Sequence, residues 1–184
     1  MQSLPLILRR RAAGQNTLVI NPVAEPAPDQ NPNAVARLTE MRSNAERAYA
    51  VVDMTSTNNA LTRAKRGVML TDNRTTVVIQ DELVLKAPGE IVWTVYTPAT
   101  VTLSGGAKIA KLEKDGKALL CKLGGLGQAK FSAEPVDGCT LTRLSIRTAV
   151  KERARLSVAC RLLADGDTLN QKLYDVSPIS TWGE

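Results

Sequence analysis

Histidine is absent from the 184 residues of this chain. With it goes the side chain that most often carries protons near neutral pH and most often ligates metals. Ser-His-Asp and Cys-His nucleophile machinery is therefore excluded outright, and any catalysis would fall to carboxylates, lysine or tyrosine. Aromatic residues make up only 3%, too few for the stacking platforms that readers of single-stranded nucleic acid use. Nucleic acid is accordingly not an expected partner. No apolar run comes near the roughly 20 residues of a membrane span, so no membrane partner is expected either. The opening apolar patch, Leu4 to Leu8, precedes Arg9-Arg10-Arg11, whereas a secretory signal places its charge first and has a longer apolar region. With no signal peptide and no transmembrane segment, the expectation is a cytoplasmic chain or a piece cut from a longer protein. Cysteine is scarce: Cys121, Cys139 and Cys160 are odd in number, widely spaced and free of any Cys-x-x-Cys pair. That predicts buried small hydrophobes in a reducing compartment, not a disulfide framework or a zinc site.

Hydrophobic residues at 43% suit a globular protein with one real core, and the length suits a single β domain. The net charge of +6 gathers at Arg9 to Arg11, at Arg63, Lys65 and Arg66, and from Lys151 to Arg155. Such a surface favours polyanions such as acidic polysaccharide, though an ordinary solvated face reads the same way.

The chain is organised around Arg66 to Leu83. Two β-rich runs, Gly67 to Leu70 and Thr75 to Gln80, flank Asp72-Asn73, a pair tolerant of the left-handed backbone of a tight turn. Before them, Thr17 to Asn21 is a short β-prone run and Pro22 to Asn33 a long proline-rich loop. Leu4 to Arg11 reads as a first strand. From Ala34 to Ala50 the apolar residues Val35, Leu38, Met41, Ala45 and Tyr49 recur with helical spacing. The β-branched density of the next stretch nevertheless favours strands over about Val35 to Met41 and Ala48 to Met54. After the hairpin, turns at Pro88-Gly89, Gly105-Gly106, Asp115-Gly116, Asp137-Gly138 and Asp165-Gly166 separate short runs. Ala154 to Leu162 alternates strictly, with Leu156, Val158 and Cys160 inward and Arg155, Ser157 and Ala159 outward. A last run spans Thr168 to Tyr174. Many short one-sided strands predict an all-β fold, an antiparallel two-sheet sandwich formed as one domain over residues 1–184.

Leu8 to Asn21, Leu-Arg-Arg-Arg-Ala-Ala-Gly-Gln-Asn-Thr-Leu-Val-Ile-Asn, resembles the opening of the C-terminal β-sandwich of heparinase II/III-like polysaccharide lyases. Pro28-Asp29-Gln30, Tyr49-Ala-Val-Val-Asp53, the hairpin ending Val-Val-Ile-Gln-Asp81-Glu82, Trp93-Thr-Val-Tyr96-Thr97 and Lys108 to Leu120 are similar to later segments of that domain, in the same order. The resemblance implies a part of a lyase in which a helical toroid and a sandwich together cleave uronate-containing polysaccharides by β-elimination. It also implies departures. Gln15 stands at the family's histidine position, Tyr96 at that of a second histidine, and Leu8 at that of a tyrosine. Gln15 exchanges hydrogen bonds but takes no proton near neutral pH. A family zinc site would be reduced to carboxylates such as Asp29 or Asp53, a poor tetrahedral set, so no cofactor is expected. No segment forms a toroid, so the expected partners are an acidic polysaccharide and a toroid supplied as a separate domain or subunit. No residue is expected to be catalytic in this chain alone.

For substrate binding the candidates are Arg9, Arg10, Arg11 and Arg66 as forks for planar oxyanions, with Gln15, Asn16 and Tyr96 beside them. The arginines have a plainer reading as solvated side chains and Asn16 as a turn cap, while Tyr96, facing the way of Val92 and Thr94, is expected to line a groove. Asp81 and Glu82, as strand neighbours, point to opposite faces and are expected to pair with arginines. Trp93, sharing a face with Ile91 and Val95, is expected in the core.

Overall fold

In the computed structural model, which describes residues 11–22, 29–164 and 176–184, alternation has the consequence the sequence predicts. The described strands are β1 (Leu18–Ile20), β2 (Arg37–Ser43), β3 (Ala48–Asp53), β4 (Leu61–Thr71), β5 (Thr76–Leu85), β6 (Gly89–Thr97), β7 (Thr100–Ser104), β8 (Ile109–Lys114), β9 (Lys117–Gly124), β10 (Phe131–Pro135), β11 (Thr142–Val150) and β12 (Arg153–Leu162). They form two antiparallel sheets, a smaller one in the order β1-β6-β11-β10 and a larger one in the order β2-β3-β4-β5-β12-β9-β8-β7. The chain is an all-β two-sheet sandwich. The strands expected over Leu4 to Arg11, Arg11 itself excepted, and over Thr168 to Tyr174, with half of the proline-rich loop, lie outside the described residues.

The central hairpin is β4 and β5. Asp72, Asn73 and Arg74 turn it with φ of 52°, 53° and 66°. The first two are residue types that accept the left-handed region. Arg74 follows them into it, and its guanidinium donates to Ser43 Oγ and Asn44 O, which ties the turn to the end of β2.

Between the sheets lies the main core. Ile91 and Trp93 of β6 and Leu144 and Ile146 of β11 face Leu83, Leu85, Leu156 and Val158 of the larger sheet. Each such side chain, buried, contributes on the order of 1.5–3 kcal/mol. Trp93 is in this core, as its neighbours predict.

Two expectations need correction. Ser157 and Ala159 point outward, yet they are 1% and 4% exposed. The C-terminal residues lie across that outer face, and Ile179 and Trp182 pack there with Tyr49, Val51, Met69 and Val78. Trp182 meets Tyr49 edge-on at 6.0 Å between ring centroids. Gly67 makes the room, since a Cβ there would stand 2.4 Å from the Trp182 ring. The second correction is to the cysteines. Cys121 on β9 and Cys160 on β12 are directly opposed in register and joined in a disulfide. They stand 39 residues apart, a distance in sequence that hides their adjacency across the ladder. Cys139 alone is a free thiol.

The helix-like spacing of Leu38 and Met41 also has a local cause. The pairing of β2 with β3 slips between Leu38 and Glu40, so Leu38 faces Val52 and Met41 faces Ala50. A β-bulge inserts one residue, and side chains three apart thereby share a face. That face is the core side of the larger sheet, but eight strands outrun four. Leu38, Met41, Val68 and Val77 remain 59%, 69%, 42% and 37% exposed.

Candidate functional site

The segment leading into β1 is held by its backbone and by Tyr96. A 3-10 turn at Ala12–Gly14 closes with Gly14 N–H donating to Arg11 O and Gln15 N–H to Ala12 O, each at 3.0 Å. Asn16 Oδ1 accepts the Tyr96 N–H at 2.9 Å, and the Tyr96 hydroxyl donates to Ala13 O at 2.6 Å. Asn16 thus ties the segment to β6, and does not cap a turn as expected. Asp29 Oδ1 accepts from Ala12 N–H at 2.8 Å and Gln30 N–H at 2.9 Å, and the Gln30 amide donates to Thr17 Oγ1. Gln15 and Asn16 are exposed and Tyr96 is half-buried. The structure therefore brings Gln15, Asn16 and Tyr96 together at one end of the smaller sheet. Arg11 starts the same segment and is exposed, while Arg9 and Arg10 lie outside the described residues.

Beside this segment the outer face of the smaller sheet is hollowed into a groove of about 230 Å³, lined by Ala13, Thr94, Ser132, Arg143, Ser145 and Arg147 among others. Arg143 and Arg147 are the groove's cations, and neither was among the candidates. The signal was present, because strict alternation from Thr142 to Thr148 puts Arg143, Ser145 and Arg147 on one face. Both are paired. Arg143 bonds to Glu134, its partner in register on β10, and Arg147 reaches Glu90 at 2.5 Å. The hydrogen bond and charge of Arg143 hold the Glu134 carboxyl below its ordinary value, and that bond in turn holds Arg143 above its own.

Arg66 stands elsewhere. Its guanidinium forks onto Asp81, Nε to Oδ1 at 2.7 Å and the terminal nitrogen to Oδ2 at 2.9 Å. Asp81 is 1% exposed; burial pushes its carboxyl up, and Arg66 opposes that push. Glu82, on the opposite face, accepts from Arg155 Nε at 3.0 Å and from Ile179 N–H at 2.9 Å. Adjacent carboxylates on opposite faces, each with its own arginine, agree with the expectation for this pair.

The carboxylates left for a zinc ion do not fit one. Asp29 is engaged with two backbone N–H groups, and Asp53 accepts from Thr55 N–H at 2.9 Å. The Thr55 bonds hold the Asp53 carboxyl below its ordinary value. Among the described residues no three His, Cys, Asp or Glu side chains converge as a ligand set.

Neither a protein-family model nor a curated protein matches the sequence. Solved structures do match. A heparinase III gene product superposes with a TM-score of 0.67 at 16% identity, over 85% of this chain and 25% of that one. A second heparinase III structure gives 0.63 at 16% identity over the same shares. The chain has the fold of a heparinase III sandwich. The heparan sulfate lyase HepC from Pedobacter heparinus agrees, with a TM-score of 0.68 at 10% identity over 84% of this chain and 25% of that one. At such identities the likeness is one of fold. The chain spans about a quarter of the length of these lyases.

Proposed function

We propose that this heparinase III-type sandwich binds acidic, uronate-containing polysaccharide and does not cleave it by itself. The observation that carries the reading is the segment at Gln15, which sits exposed beside an arginine-bearing groove on a lyase fold. β-Elimination needs the substrate carboxylate neutralised, the neighbouring C–H proton removed and the departing oxygen protonated. A glutamine amide supplies hydrogen bonds but no base. The Tyr96 hydroxyl already donates to Ala13 O. What remains is recognition by arginine and polar side chains. The test mixes the chain with heparan sulfate, follows the absorbance of the unsaturated product, and titrates binding by calorimetry at two salt concentrations. Saturable binding that weakens with salt, and no product, is the expected result. Product from this chain alone overturns the non-catalytic half, and no binding overturns the other.

A second reading has specific support. The chain matches only about a quarter of each lyase, and Leu38, Met41, Val68 and Val77 stay exposed on the core side of the larger sheet. Those facts favour a sandwich that completes an active lyase with a helical toroid supplied separately. A toroid encoded nearby, co-purifying with this chain and yielding product only in the complex, would support it. Failure of such a toroid to bind would remove it.

A further inference from the structure

The outer face of the larger sheet carries a second cavity, of about 320 Å³, where β4, β5 and β12 run under the C-terminal segment. Arg63, Arg153 and Arg155 line it with Glu82, and Pro178 and Ser180 form one wall. Register explains the cluster. Arg63 and Arg153 both oppose Val84, one from each side, and Arg155 opposes Glu82. The Cα atoms of Arg63 and Arg153 are thus two strand spacings apart, about 10 Å, and their side chains share a face.

Among the described residues the charge within this cavity is not balanced. Glu82 is the one described carboxylate lining it, and its Oε1 already accepts from Arg155 Nε, Ile179 N–H and the Gln80 amide. It has little left with which to neutralise the others. Arg63 makes no ion pair among the described residues, and Arg153 has only an exposed contact with Glu152 at 3.2 Å. In the groove on the other sheet, by contrast, both arginines are matched by a carboxylate. A cavity of this size, at the small end of the range for ligand sites, takes about one sugar ring.

We infer that this cavity is an anion-binding subsite for a sulfate or carboxylate substituent of a sugar, with Arg63 and Arg153 as the binding forks and Arg155 held in place by Glu82. The inference rests on the acidic-glycan reading for its natural ligand, but the site itself is defined by three arginines around one described lining carboxylate.

The test compares the parent chain, the Arg63→Ala/Arg153→Ala variant and the Arg143→Ala/Arg147→Ala variant. Each is titrated with inorganic sulfate and with a heparan sulfate oligosaccharide, by calorimetry and amide NMR shifts. Arg63 and Arg153 are exposed, and circular dichroism with thermal melting checks that each variant is folded. The expected result is that the Arg63/Arg153 variant loses at least tenfold in oligosaccharide affinity, and loses the sulfate-induced shifts around Val84 and Ser180. The groove variant keeps those shifts. Parent-like binding by a folded Arg63/Arg153 variant overturns the subsite and leaves the glycan reading standing. Sulfate shifts at Val84 and Ser180 in a chain that binds no oligosaccharide uphold the anion site and overturn the glycan reading.

Discussion

The two sheets present their outer faces to the surroundings in different ways. The smaller sheet's outer face holds a groove whose arginines are neutralised across the strands by Glu134 and Glu90. The larger sheet is covered by Ile179 and Trp182 and stapled from β9 to β12 by Cys121 and Cys160. There the carboxylate Glu82 is spent on the backbone of the covering segment and on Arg155, so it does not pair with Arg63 or Arg153. The difference teaches that covering a sheet and balancing its charge draw on the same side chains. An outer face with a roof gains an apolar cluster, and the carboxylate that anchors the roof is no longer available to the neighbouring cations.

Removing the roof should have the largest effect. Trp182 is 2% exposed and packs over Gly67 and Tyr49. Trp182→Ala is expected to cost about 3–5 kcal/mol, read as a lower midpoint in chemical denaturation. The outer-face residues Val51, Met69 and Val78 should then exchange their amide hydrogens faster, while Leu144 and Ile146 in the main core lag behind. Uniform acceleration everywhere would mean that the two clusters are one cooperative unit.

Opening the staple comes next. Cys121 and Cys160 close a loop of 39 residues, and losing such a link costs about 2–4 kcal/mol in the chain-entropy account. Melting with and without a reductant, alongside Cys121→Ala/Cys160→Ala, measures it. A reductant that lowers the parent's melting temperature and leaves the double variant unmoved is the expected pattern. Free-thiol counts of three in the parent without reductant would contradict the disulfide.

Crowding the roof should have a smaller effect. Gly67→Ala places a methyl group 2.4 Å from the Trp182 ring, and overpacking of this kind costs about 1–3 kcal/mol. In a Trp182→Ala background that cost should vanish, because the two positions share one space. An additive result would place the strain elsewhere.

Much of this was legible from residue order. Strict alternation in 154–162 gave the faces of β12, Asp72-Asn73 gave the central turn, and Ile91, Trp93 and Val95 gave the core side of β6. What was hidden depends on register. The disulfide, the Arg143–Glu134 pair and the Arg63–Val84–Arg153 row are contacts across strands, and spacing along the chain does not specify them. The roof was hidden for another reason. Arg155, Ser157 and Ala159 alternate as a solvated face would, and the distant C-terminal residues, Val176, Ile179 and Trp182 among them, turn Ser157 and Ala159 into interior residues. The bulge in β2 misled in the opposite sense, by giving a strand the period of a helix.

The smallest effect, and the one that sharpens the contrast between the faces, comes from unpairing the groove. Glu134→Gln removes the carboxylate that matches Arg143. The pair is about half exposed, with side chains 45% and 52% accessible, so solvent screening limits the stability change to less than about 0.5 kcal/mol. Its sign follows from the depressed carboxyl. Glu134 is held below its ordinary 4.5 in the folded chain, so its contribution is fully present above that value and is lost as the pH falls through the folded-state value. Parent and variant should therefore differ slightly at pH 7 and melt together in strong acid. A difference that persists unchanged in acid would trace to hydrogen bonding of the side-chain amide and not to charge. Binding should move the other way, because Arg143, released from Glu134, is left with the Tyr96 hydroxyl and no carboxylate partner among the described residues. The variant's groove should then show larger sulfate-induced amide shifts around Ser145 than the parent's. If they are no larger, free charge alone does not set anion affinity on this fold, and the enclosing wall of Pro178 and Ser180 becomes the feature that distinguishes the larger sheet.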